Sequence, residues 1–589
     1  RSLFDINPIL PKFLKFNHEK FTEVKIKSEN DLRTLGIFLL VLKLGYQTMI
    51  HNDNEHNNYN EQELSIIDSM QQLDNPTFNR IINLCIADGL ITARSSFKLV
   101  QLLALLYHYK GMSPDDSHGL SSADSQILLG TIIRHAFSIG LNRDPTRYTT
   151  FDNLAKNQVL IKTWRHLWWF LVATDAMSAL NTGCNLNVSS LDGCDVEYPH
   201  VSEDPTGEMN KIYEVLAKIC EHYRNIVNKI NNLRQKPKVV EILKETNQME
   251  RIFFDFFGKD FFKDVVCKPA KEPTNGNGFE EASKEHMEKV VKVFKYCLFI
   301  QLRTNLSGMY YKIAIHYENE YDKSKTPSMK AGIELFKIYI KSVVQLVYIM
   351  SYVLDNSVYL FGKNFDYMLT ASNERYMIKT HSFLTSFFVR LLHQKKELSF
   401  KVFKEISYMS RLECINNLFD IVLEDVELFV GDFRRLSKTY INSYRLYIIT
   451  FIVLRQSIDN SDAFFEKAAS DQLFFHQGTN MIEFFSQQEL NHLCRLCRDW
   501  RNIKEAQKKY KDAKKNAINT KDTDDNDNEE VGFDPLKELE SKLFGSSFFD
   551  DDNIFSNLNN LSDEILDPVA CKEDLIRLFN IYGDFNDLL

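Results

Sequence analysis

The chain has 589 residues, of which 44% are hydrophobic and 26% are charged, and its formal net charge is −9. This composition is ordinary for a soluble globular protein, whereas the negative charge argues against a body that wraps nucleic acid through clustered Lys and Arg. Only 21 Gly and 13 Pro interrupt the sequence, well below average usage, so we expect long secondary-structure elements.

Helical patterns follow one another along the chain. Apolar residues recur at three-to-four spacing, with polar residues between them, in residues 97–109, 288–306 and 413–433. Runs that alternate apolar and polar residues and end in an Asn-Gly or Asp-Gly turn are nearly absent. These patterns predict an all-α fold.

The most apolar run, residues 35–46, is short and contains Lys43, so we expect that it does not span a membrane. The chain begins at Arg1 without an initiator Met, and its first residues do not resemble a signal peptide. We therefore expect a fragment of a longer protein.

Two polar stretches divide the chain. Residues 267–286 are rich in Pro, Gly, Asn and charge, which predicts a flexible excursion between helices. Residues 511–533 have low complexity and too few apolar side chains to offset the entropy of ordering, so we expect a disordered linker. The predicted domains are therefore a helical body (1–510), this linker and a C-terminal segment (534–589).

The C-terminal segment interleaves acidic and bulky apolar residues. Between Ser546 and Leu589 there are ten acidic residues and two basic ones. This composition is typical of a transcriptional activation domain, in which carboxylates keep the apolar side chains solvated until a partner binds them. A last helix packed permanently on the body is the alternative. The candidate contact residues are Phe548, Phe549, Phe555, Leu575, Leu578, Phe579, Tyr582, Phe585 and Leu589.

The ten cysteines are scattered, as expected for reduced thiols in the cytosol or nucleus. Cys494 and Cys497 form one CxxC pair, but a zinc site needs further ligands nearby, so we expect a buried pair of thiols on a helix. None of the usual nucleophile, metalloprotease, phosphate-loop or dinucleotide motifs is present, and we expect a protein that is not an enzyme.

The stretch TWRHLWWFLVATDAMSAL (163–180) is apolar on nearly all sides of a helix, which predicts a buried core helix. Arg165 and Asp175 lie ten residues apart, too far for a one-turn pair. We expect each of them to meet another segment, with Arg143, Asp144 and Asp195 as candidate partners, because buried charges require pairing.

Together with its flanking segments, this stretch resembles the middle homology region of fungal zinc-cluster transcription factors. The resemblance covers about residues 80–200. A helix ends in Ala-x-x-x-Gly-Leu-x-Arg-Asp; an Arg then precedes Trp-Trp, followed by Asp, Gly and an Asp-x-x-x-Pro ending. The matching residues are Ala136, Gly140, Leu141, Arg143, Asp144, Arg165, Trp168, Trp169, Asp175, Gly183, Asp195 and Pro199.

The resemblance implies a large multi-helix regulatory domain between an N-terminal zinc cluster that binds DNA and a C-terminal activation domain. This chain lacks the clustered six-cysteine motif, so zinc and DNA contacts are expected only in a part of the protein upstream of it. The implied setting is the nucleus. The implied partners are a small-molecule effector, a coactivator such as a Mediator subunit, and a second copy in a homodimer.

We therefore expect a regulator in which a small, largely apolar effector controls exposure of the C-terminal activation segment. The aromatic fraction of 12% favours an apolar effector. The alternative is a structural, chromosome-associated scaffold on the same helical fold that senses nothing.

Overall fold

The computed structural model describes residues 14–17, 20–24, 26–50, 59–71, 75–86, 94–114, 123–147, 157–200, 207–258, 265, 279–324, 329–459, 480–495 and 497–498. The predicted linker (511–533) and C-terminal segment (534–589) lie outside these residues.

Helices dominate the described part of the chain, which confirms the all-α prediction. Its N-terminal part also contains one antiparallel hairpin, in which β1 (Leu14–Asn17) pairs with β2 (Lys20–Val24). The first helices are α1 (Glu29–Gln47), α2 (Glu61–Gln71), α3 (Asn75–Ile86), α4 (Phe97–Met112), α5 (Ala123–Ser138) and α6 (Gln158–Thr182).

The second half contains the longest helices. They are α7 (Glu208–Ile230), α8 (Val239–Phe257), α9 (Phe279–Ser324), α10 (Met329–Phe361), α11 (Asp366–Lys404), α12 (Met409–Leu436) and α13 (Ile441–Asp459), followed by α14 (487–495). Within the described ranges, no helix is long and apolar enough to cross a membrane.

Two apolar cores organise these helices. The N-terminal core is built from α1, α3, α4, α5 and the first half of α6, with Leu40, Leu103 and Trp168 fully buried in it. The C-terminal core extends from the second half of α6 through α7 to α14. Helix α6 contributes Leu171 to the first core and Ala176 to the second, so it connects the two.

Polar side chains determine where several helices begin. The hydroxyls of Ser28 and Ser96 accept hydrogen bonds from backbone amides in the first turns of α1 and α4, at 3.3 and 3.2 Å. The side chain of Asn157 accepts one from Leu160 at the start of α6, at 3.1 Å. Each satisfies an amide that the helix leaves without a partner.

A buried ion pair holds the end of the described chain against the C-terminal core. Arg390 of α11 donates two hydrogen bonds to Glu318 of α9, at 2.5 and 2.9 Å. The same carboxylate accepts the backbone N–H of Met481 at 2.7 Å, and Asn480 donates to the Arg390 carbonyl at 2.9 Å. Both charges therefore have the hydrogen-bond partners that burial requires.

The predicted excursion at 267–286 extends too far. Helix α9 already begins at Phe279, so the last eight residues of the predicted excursion are helical; residues 267–278 lie outside the described part of the chain. The Gly residues end at Gly278, and the Ala, Lys and Glu that follow favour helix. The predicted CxxC pair is buried, and burial raises the pKa of both Cys494 and Cys497.

Two helical glycines give a matched test of this packing. A Cβ at Gly332 of α10 would lie 2.8 Å from the Cβ of Tyr317, whereas a Cβ at Gly431 of α12 would meet nothing within 4 Å. We expect Gly332→Ala to lower the unfolding free energy by about 1–3 kcal/mol through overpacking. Gly431→Ala should be neutral or stabilising by up to about 1 kcal/mol, since Ala favours helix. Thermal denaturation of both variants measures this, and an equal loss in both would contradict the packing described.

Candidate functional site: helix α6 and the polar seam

The end of α5 explains the first part of the family motif. The backbone N–H of Leu141 bonds to the Ala136 carbonyl at 2.9 Å, and that of Gly140 bonds to the Phe137 carbonyl at 3.0 Å. This is a Schellman ending, which needs a left-handed residue after the helix, and Gly140 supplies it with a φ of 72°. The Ala-x-x-x-Gly-Leu spacing is therefore a helix stop that turns the chain towards α6.

Trp164 of α6 holds the turn after α5 in place by hydrogen bonding. Its indole N–H donates to the carbonyls of Leu141 and Arg143, at 3.0 and 2.9 Å. Its ring stacks on that of Phe97 at the start of α4, with the centroids 5.3 Å apart. One side chain thus fixes the positions of α4, α6 and the turn after α5 relative to one another.

Arg165, the residue after Trp164, forms an ion pair with Asp144 in the turn after α5. Arg165 contacts the fully buried Asp144 through two hydrogen bonds, at 2.8 and 3.1 Å. Burial by itself would raise the pKa of Asp144, but hydrogen bonds from Arg165, Thr146 and the backbone of Glu197 outweigh it and lower the pKa to about 2. Arg165 also pairs with the side chain of Glu197 at 2.7 Å. Asp144 is one of the three partners that the sequence suggested for Arg165.

Residues 194–199 contact both Asp144 and the first half of α6. Asp195 accepts the backbone N–H of Asp144 at 2.8 Å and a longer contact from Arg143 at 3.4 Å. Trp168 is fully buried and donates to the sulfur of Cys194 at 2.9 Å. Trp169 donates to the Glu197 carbonyl at 3.1 Å. Except for Asp175 and Gly183, the predicted motif residues from Ala136 to Asp195 therefore meet around the first half of α6, and Pro199 is buried beyond them.

Asp175 and Gly183 lie further along α6. The sequence suggested Arg143, Asp144 or Asp195 for Asp175, but its carboxylate instead accepts the backbone amides of Asn187 and Val188, at 3.1 and 2.9 Å. This loop can reach Asp175 because Gly183, with a φ of 68°, ends α6 and reverses the chain. The expectation of a partner for Asp175 was right, but the suggested partners were wrong.

A seam of polar side chains lies where the two cores meet. We define the polar seam as the α11 residues Tyr367, Glu374, Arg375 and Lys379 with the groups that they contact. Hydrogen bonds join α11 to the N-terminal helices, and one of them runs from the Tyr367 hydroxyl to the Met112 carbonyl. Tyr367 bonds to Gln47 at 2.9 Å, Arg375 to the Gly111 carbonyl at 2.8 Å and Lys379 to Asn181 at 2.6 Å.

Two cations of the seam lack an anionic partner. Among the described residues, neither Arg375 nor Lys379 lies within 4.0 Å of a carboxylate, although only 9% of Lys379 is exposed. Burial, followed by the charges of Arg375 and Lys312, lowers the pKa of Lys379 to about 7. The seam therefore favours the arrival of a negative charge.

Two neighbouring groups have shifted pKa values as well. Burial raises the pKa of Glu374 to about 7, although hydrogen bonding to Ser443 and the charge of Arg375 act against it. Burial and the charge of Arg375 lower the pKa of His108 to about 4. Perturbed titratable groups that gather in one place are characteristic of binding sites as well as of structural networks.

The sequence did not predict the seam, because its members come from helices far apart in the chain. One signal was present in α11, where Arg375 and Lys379 stand four residues apart on either side of the apolar Met377. Within the part of the chain that the structure describes, no group of three or more His, Cys, Asp or Glu residues is placed to hold a metal ion.

Comparison with known proteins gives two results. Residues 6–327, more than half of the chain, match the fungal specific transcription factor domain. This is wider than the region of about 80–200 in which the sequence motifs stand. No solved structure matches the chain.

A relative adds to the family match. A region of 328 residues is 24% identical to multidrug resistance regulator 1 of Candida albicans. The aligned region covers 52% of this chain but only 27% of that protein. The similarity thus concerns about a quarter of the relative.

We predict that Asp144→Asn lowers the unfolding free energy by about 3 kcal/mol, because it leaves the mostly buried Arg165 with only the exposed carboxylate of Glu197. The control is Asp355→Asn, which breaks an exposed pair with Arg435 and should cost less than about 1 kcal/mol. The difference should shrink below about pH 4, since Asp144 loses its charge as the pH falls towards 2. Equal losses at pH 7 would contradict this role.

Lys379→Met tests the seam. The lowered pKa of Lys379 means that the folded protein bears the penalty of a buried ammonium at pH 7 and below, and loses it as the pH rises from 7 to 10. The melting temperature of the variant relative to wild type should therefore be highest at or below pH 7 and fall towards pH 10. A difference that does not vary over this range would contradict the shifted pKa.

Proposed function

The chain belongs to the fungal specific transcription factor family, and from this membership we propose that it is the regulatory and activation region of a zinc-cluster transcription factor. We propose that it responds to a small effector and controls exposure of an activation segment at 534–589. This role is regulatory rather than catalytic. Contact with DNA would belong to a zinc cluster outside this chain, and the site of action would be the nucleus.

The polar seam is the observation that carries the effector proposal. It lies between two cores that are each closely packed, so a molecule bound there would contact both. An acidic group on the effector would offset the charges of Lys379 and Arg375, and an apolar body would suit the partly buried Met177 and Leu180 of α6. The Candida albicans relative is a multidrug resistance regulator, which supports drug-like small molecules as candidates.

A response of this kind requires the effector to bind one conformational state more tightly than the other. A preference of roughly 1–3 kcal/mol is enough for a useful switch. The seam suits this requirement because a few hydrogen bonds join α11 there to α1, α4 and α6. A ligand that takes over these bonds would change how the C-terminal core sits on the N-terminal one.

The composition of the C-terminal segment supports the activation part of the proposal. Its ten acidic residues and its Phe and Leu residues suit an amphipathic helix that enters the groove of a coactivator such as a Mediator subunit. The scaffold alternative has no use for such a segment. Whether the C-terminal segment activates transcription therefore distinguishes the regulator from the scaffold.

We predict that residues 534–589 activate a reporter gene when they are fused to an unrelated DNA-binding domain. Replacing Leu578, Phe579 and Tyr582 together with Ser should reduce the output at least about tenfold, because a few buried apolar anchors provide most of the binding energy. The control replaces Asn553, Asn557 and Asn559 with Ser. A silent wild-type fusion at normal expression would favour the scaffold.

A further inference from the structure

The turn between α11 and α12 presents apolar side chains to solvent. We call this surface the corner and define it by Phe400, Phe403, Ile406, Tyr408 and Met409. Phe403 is 90% exposed and Ile406 is 82% exposed, the two highest values among the large exposed hydrophobics of the described chain. Single exposed apolar residues are common, whereas five within ten positions indicate a binding surface.

Positive charge surrounds the corner. Residues 395–411 contain four Lys, one Arg and two Glu. Lys401 makes only an exposed contact of 3.4 Å with Glu397, and Lys404 has no carboxylate within ion-pair distance among the described residues. A partner that combines apolar anchors with carboxylates would match both features of this surface.

We propose that the corner is the docking site for the C-terminal segment 546–589 of the same chain. The inference rests on the proposed function, because it names the surface that keeps the activation segment masked. The segment offers Phe and Leu side chains for the apolar surface and ten carboxylates for the surrounding Lys residues. Docking would bury the same side chains that a coactivator needs.

The path of the chain favours this occupant. Helix α14 packs beside the start of α12, where Gln487 hydrogen-bonds to Ser410 and Asn491 lies 3.3 Å from the sulfur of Cys414. The last described helix thus begins next to the corner and runs along α12, so that Cys497 near its end lies close to Asp425. The 47 residues from 499 to 545 would span about 35–40 Å as a flexible coil. Tethering at this length gives an effective concentration in the millimolar range, which a free partner must overcome.

Hydrogen exchange on the full chain tests the proposal. The corner variant Phe403→Ser/Ile406→Ser changes only exposed side chains and should fold normally, which its melting temperature checks. The control variant Ile127→Ser/Leu233→Ser removes two side chains that are each 69% exposed elsewhere. We expect amides at 575–589 to exchange about tenfold faster in the corner variant and at the wild-type rate in the control.

Reversing the charge of Lys residues around the corner provides a second test of the docking site. Lys401→Glu/Lys404→Glu should also speed exchange at 575–589, and Asp584→Lys/Asp587→Lys in the same chain should restore part of the protection. An unprotected segment in wild type, or equal effects of the corner and control variants, would overturn the proposal. Protection that disappears on dilution would assign the corner to a second copy instead.

The reporter fusion distinguishes this failure from failure of the proposed function. An active fusion with no effect of the corner variants would leave the activation role standing and remove the docking site. A silent fusion with corner-dependent protection would show docking of a segment that has another role.

Discussion

The carboxylate of Asp144 is held from one side by Arg165 of α6 and from the other by the backbone of Glu197. This contact joins three segments of the chain: the turn after α5, the Trp-Trp helix α6 and the stretch before residue 200. Because the pair is mostly buried, each charge needs the other, and the pair fixes α6 against the turn after α5. The second half of α6 packs in the C-terminal core, and Asn181 near its end contacts Lys379 of the polar seam.

The position of the seam gives the fold a place to change. The apolar cores on either side are close-packed and resist small deformations. The seam is held by a few directional hydrogen bonds and contains Lys379 and Arg375, neither of which has an anionic partner among the described residues. A ligand that supplies negative charge there would alter the balance at the boundary between the cores. Such a boundary can have two arrangements without unfolding either core.

Local features of this structure could be predicted from sequence, and long-range ones could not. The helix stop at Gly140 and the buried α6 follow from spacing over a few residues, and the need for a partner at Arg165 follows from the cost of a buried charge. The partners of Asp175 are the backbone amides at 187 and 188 and the neutral side-chain amide of Asn187, so no residue of opposite charge in the sequence points to them. The contact between Lys379 and Asn181 joins positions 198 residues apart, and only the folded chain brings them together. The predicted excursion at 267–286 includes the start of α9, because the Pro, Gly and Asn residues that break helices end at position 278. The residues after Phe279 favour helix.

We propose that the seam holds a small effector through Lys379 and Arg375. Native mass spectrometry of the full chain purified from a fungal host, beside Lys379→Met purified in the same way, tests it most directly. We expect the wild-type chain to carry an added mass of a few hundred daltons, which organic extraction removes. The variant should carry little or none of this mass. The same spectrum for both proteins, with or without an added mass, would contradict it.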